Sequence, residues 1–108
     1  MRGRNAAAAC LVAFLLVPFA AAAQAPGRQQ QKCAAYAAMW DEALARFGRQ
    51  GLGPSFVDGH AAFLAAGCQG RRDVCPRSAA ELELANAMTI AAMNARMASS
   101  FVPFICRD

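Results

Sequence analysis

His60 is the one histidine of the chain, so any imidazole base or ligand has to be this residue. It follows Phe56 by four positions and precedes Phe63 and Leu64 by three and four, a spacing that puts it on an apolar helical face. A histidine so placed reads as a packed side chain with one hydrogen bond. The alternative is a minimal enzyme using His60 with Asp58. Ser55, Ser78, Ser99 and Ser100 stand in no nucleophile signature, and two of them read better as helix caps. Asp41 and Glu42 are adjacent and diverge by about 100° on a helix. Glu81 and Glu83 also point apart, in a first turn where the helix dipole favours acids. Gly48, Gly51 and Gly53 form a connector rather than a phosphate loop. No catalytic residue, no cofactor-binding residue and no enzyme activity is expected.

Met39, Met88, Met93 and Met97 offer thioethers, which suit Cu(I). Met93 and Met97 are one turn apart, but Met88 is turned away from both, and methionines at helical spacing usually fill a core. Copper handling stands as an alternative, with no metal ligand assigned. Tyr36 and Trp40 share a helical stripe and could line a groove for an apolar molecule, although they read first as the largest pieces of a small core.

Five cysteines complete the reactive inventory, and Cys10 lies in an apolar N-terminal stretch. The other four, Cys33, Cys68, Cys75 and Cys106, are an even set in a small chain and read as two structural disulfides. There is no C-x-x-C, and the spacing from Cys68 to Cys75 fits no usual zinc motif. Three pairings exist. Cys68 with Cys75 and Cys33 with Cys106 is favoured, since the first bridge would close a connector between helices. Cys33 with Cys68 and Cys75 with Cys106 is the main rival.

The positioning elements are helical. Cys33, Tyr36, Ala37, Trp40, Ala43, Leu44 and Phe47 recur at steps of three and four, and Gly48 and Gly51 stop that helix. Ser55 is a plausible cap for a second helix carrying Phe56, His60, Phe63 and Leu64, which Gly67 ends. Ser78-Ala79-Ala80-Glu81 is a capping box, and the helix it opens is expected to run to about Met97. That third helix is apolar nearly all round, so it needs cover from the rest of the chain or from a partner. Phe101, Val102, Pro103, Phe104 and Ile105 are expected to lie extended along its exposed side. Arg71 and Arg72 read as a solvated pair in a turn.

Residues 1–23 read as a cleavable signal peptide: Arg2 and Arg4, an uncharged stretch with an apolar centre at residues 11–19, then small residues. Cleavage after Ala23 is preferred to cleavage after Ala25, which would leave Pro26 beside the cut. Residues 24–32 read as a flexible polar leader and 33–108 as the domain. Without residues 1–23, nine basic residues face seven acids, a net charge of +2. So mild an excess does not point to nucleic acid.

The sequence thus predicts an exported all-α domain of three helices with an extended tail, stapled by two disulfides, in a bacterial periplasm. It would keep no membrane span after cleavage. Its function is expected to be binding, to a protein or an apolar small molecule, with a homodimer through the third helix as one arrangement. A structural or stress-protective envelope role is a further alternative.

Overall fold

The computed structural model describes residues 27–107, together with Gly3. The signal peptide, its cleavage site and Cys10 lie outside the described residues. Three helices follow one another: α1 (Arg28–Phe47), α2 (Pro54–Ala65) and α3 (Ala79–Asn94), with a short 3₁₀ turn at Ser99–Phe101. There is no strand among the described residues.

α1 starts earlier than the apolar stripe implies. Residues 28–32 are helical, not a loose leader. The Gly27 N–H donates to Gln30 Oε1, and the Gln29 amide donates to the carbonyls of Gly67 and Cys68 at 3.4 and 3.2 Å. Polar residues that look like a frayed tail are thus held against the end of α2. The Cys33–Cys68 disulfide closes the same junction one turn further on.

α2 opens on Pro54, with Gly53 as its cap, rather than on Ser55. Proline suits the first helical position because its missing N–H would be unpaired there anyway. The cap is completed from a distance. Glu81 Oε2 accepts the Gly53 N–H at 2.8 Å, and Glu81 Oε1 accepts those of Arg77 and Ser78 at 3.0 and 3.4 Å. Ser78 Oγ accepts the Glu81 N–H and donates to Gly51 O at 2.6 Å. Burial alone would raise the Glu81 pKa, but these N–H donors hold it below the ordinary carboxylate value. One residue pair therefore starts two helices. Gly51 completes the junction with φ +80°, and a Cβ there would come within 2.9 Å of Ala80 Cβ.

Both later helices end in Schellman motifs. In α2 the Cys68 N–H bonds to Phe63 O and the Gly67 N–H to Leu64 O, with Gly67 at φ 70°. In α3 the Met97 N–H bonds to Ala92 O and the Arg96 N–H to Met93 O, with Arg96 at φ 64°. The second motif uses arginine where glycine is usual, so α3 ends at Asn94, short of Met97, with no glycine to announce it.

The disulfides are Cys33–Cys68 and Cys75–Cys106, which corrects the favoured pairing of Cys68 with Cys75 and Cys33 with Cys106. The connector after Cys68 does not close on itself. Instead it runs beside the C-terminal tail, where the Val74 N–H donates to Pro103 O at 3.0 Å, and this brings Cys75 to Cys106. Arg72 is drawn in too, which corrects its reading as merely solvated. Its guanidinium sits 5.8 Å from the Phe63 ring centroid and donates to Phe101 O at 3.3 Å.

Candidate functional site

Tyr36 and Trp40 lie one turn apart on α1, and His60 faces them from the middle of α2. All three are buried. Tyr36 Oη and His60 Nε2 are 2.8 Å apart. The imidazole stacks on Trp40 with ring centroids 3.6 Å apart and planes 21° apart. Phe104 of the tail lies nearly parallel to it at 5.8 Å. Phe63 and Phe101 meet Tyr36 at 5.8 and 5.7 Å. His60 is thus the polar centre of an aromatic cluster built from both helices and the tail.

The electrostatics follow from burial. His60 is completely inaccessible, and desolvation of the imidazolium lowers its pKa from 6.5 to about 4. Burial likewise pushes the Tyr36 phenol well above its ordinary value. Nδ1 of His60 is buried without a hydrogen-bond partner. Near neutral pH this pair holds a neutral imidazole against a neutral phenol.

The remaining candidates are not gathered here. Asp58 is exposed while His60 is interior, so the two do not form a catalytic pair. Ser55, Ser99 and Ser100 are exposed, and Ser78 is engaged in the junction with Gly51 and Glu81. Met88 and Met97 are buried, whereas Met93 is exposed. Among the described residues, no three His, Cys, Asp or Glu side chains come together as a metal site. Cys33, Cys68, Cys75 and Cys106 are all consumed in disulfides.

A different region carries exposed apolar surface. Leu82, Ile90 and Met93 of α3 are 47%, 60% and 54% exposed. Helical geometry places them within about 80° of one another. Leu84, Ala85, Met88 and Ala92 on the other side of α3 are buried. The expectation that the tail would cover this outer face is therefore corrected. Phe101, Val102 and Pro103 turn inward, and Phe104 packs on Phe56 and His60. The tail closes the aromatic cluster because the cluster offers larger flat surfaces than the outer face of α3.

Beside that face runs a groove of about 160 Å³ between α1 and α3. Met39, Ala43 and Phe47 line one wall and Ala87, Met88 and Ala91 the other. Glu42 and Arg46, paired at 3.7 Å on the surface, lie at its edge. Small-molecule pockets usually offer about 300 Å³ or more. The groove is of a size for a few inserted side chains. The alanines show why sequence reading passed over it: they read as filler, yet their small size is what leaves the space.

No helix among the described residues is long and apolar enough to cross a membrane. Compared with protein families, curated proteins and solved structures, the chain finds no match.

Proposed function

We propose that this chain is an exported, non-catalytic interaction module that presents the outer face of α3 and the adjoining α1–α3 groove to a partner protein. The observation that carries this reading is the exposure of Leu82, Ile90 and Met93 on one side of a helix whose other side is core. Exposed apolar residues that share one helical face, here with the exposed Asn86 between Leu82 and Ile90, support an interaction surface. The size of the groove favours side chains of a protein over a whole lipid or cofactor. The packing of His60 and Tyr36, and the separation of Asp58 from His60, support a role without catalysis. Two disulfides in so small a chain support export to an oxidising compartment, and the bacterial periplasm is the compartment we propose.

Native mass measurement without reductant, on protein purified from the exported fraction, tests the reading. The expected spectrum shows a chain lacking four hydrogens, bound to another protein or a second copy. The associated mass should disappear in Leu82→Asp and Ile90→Asp. A bare monomer, or one carrying only a metal or small molecule, would contradict the proposal.

A further inference from the structure

A buried polar atom with no partner calls for an explanation, and His60 Nδ1 is the one such side-chain atom among the described residues. The problem persists in both neutral tautomers. If Tyr36 donates to Nε2, then Nδ1 carries an unanswered N–H. If Nε2 donates to Tyr36, then Nδ1 holds an unanswered lone pair. Protonation worsens either case. The imidazolium has two N–H donors, the tyrosine oxygen can answer only one, and the charge sits in a buried aromatic cluster.

No group facing the ring relieves this. From α1 come Tyr36, which is neutral, and Trp40. From α2 comes Phe63, and from the tail Phe104. Among the described residues His60 has no ion pair, and Asp58 on the same helix is exposed. In the connector, Arg72 is held over Phe63, which itself meets the His60 ring, and would repel a second positive charge. The Trp40 face attracts an imidazolium by about 2 kcal/mol or more when desolvated, but desolvation prevails and the pKa is lowered.

The element free to yield is the tail. α1 and α2 are helices stapled by Cys33–Cys68. Residues 102–105 have no helix of their own, and Val74 N–H to Pro103 O is their one backbone bond to the connector. Cys75–Cys106 fixes their far end. We propose that His60 is an acid-sensitive latch: neutral, it keeps the strap of residues 102–105 closed over the aromatic cluster; protonated, it releases a strap that stays tethered through Cys75–Cys106. Opening lets the imidazole take its proton at the ordinary value near 6.5, while the closed state resists until about pH 4. The open population should therefore rise on the order of 300-fold across that window. Opening would bare Phe101, Val102 and Phe104, giving the protein a second apolar surface in acid only.

The test is an NMR titration of the disulfide-intact protein from pH 8 to pH 3. It follows the His60 ring protons and the exchange protection of the Val74 amide, corrected for intrinsic exchange rates. The expected result is a fall of Val74 protection of about two orders of magnitude between pH 6.5 and 4, with the Trp40 amide in α1 more strongly protected than Val74 at every pH. In His60→Phe the Val74 protection should stay flat over the same range. The latch is overturned if Val74 protection is unchanged across the window, if Val74 and Trp40 open with the same free energy throughout, or if His60→Phe behaves as the parent. Should His60→Phe not fold, the two amide curves of the parent protein decide alone.

Discussion

The His60 cluster and the outer face of α3 invert the usual distribution of residues. The cluster takes a histidine and a tyrosine, side chains with polar chemistry, and buries them completely. The face takes leucine, isoleucine and methionine and leaves each about half exposed. The difference follows from shape. Aromatic rings on α1, α2 and the tail pack flat upon one another, so the tail is drawn to them rather than to the aliphatic stripe of α3. Residue type alone is thus a poor guide to function here: the reactive-looking groups support the fold, and the bland ones are left for a partner.

Substitutions should separate the two regions sharply. Trp40→Ala removes the ring on which His60 stacks and should cost about 3–5 kcal/mol, measured by chemical denaturation at pH 7. Acid should act on the same region. Above pH 6.5 the imidazole is neutral in folded and unfolded chains alike, so it contributes no pH dependence there. Between 6.5 and about 4 the unfolded chain takes up the proton and the closed fold does not, so the closed fold should lose about 3 kcal/mol relative to the unfolded chain before levelling. Denaturation curves at pH 7 and pH 4 should show this loss, and His60→Phe should lack it. Glu81 adds a separate loss lower down, since its folded pKa lies below the ordinary carboxylate value and its contribution fades as pH falls through it.

Between the two regions lies the end of α3. Arg96→Gly should raise stability by about 1 kcal/mol, because glycine adopts the left-handed conformation without the steric cost of a side chain. Thermal unfolding would read it as a rise of a few degrees. On the outer face, Met93→Asp should change stability by no more than about 0.5 kcal/mol and leave a folded monomer. A loss comparable to that of Trp40→Ala would place this face in the core and erase the contrast.

The helices were legible where side-chain periodicity or a capping box marked them, as in the stripe from Cys33 to Phe47 and the Ser78–Glu81 start. His60 was legible as a packed residue because Phe56 and Phe63 flank it at helical spacing. What escaped was long-range. Gln29 acts on carbonyls at the end of α2, Glu81 caps a helix 28 positions away, and Arg96 ends α3 without glycine. The disulfide pairing escaped for the same reason. Nothing local to Cys68 and Cys75 reveals that the connector between them runs beside the tail. The groove escaped because Ala43, Ala87 and Ala91 signal space only once two helices are placed together.

The most direct test of the account sets the outer face of α3 against another exposed position in living cells. A photo-crosslinking residue is placed at Ile90 and, separately, at Asp58, which is also exposed but lies on α2. Position 90 should give a discrete protein adduct that is lost with Leu82→Asp, and position 58 none. Adducts of equal yield from both positions, or none from position 90, would contradict it.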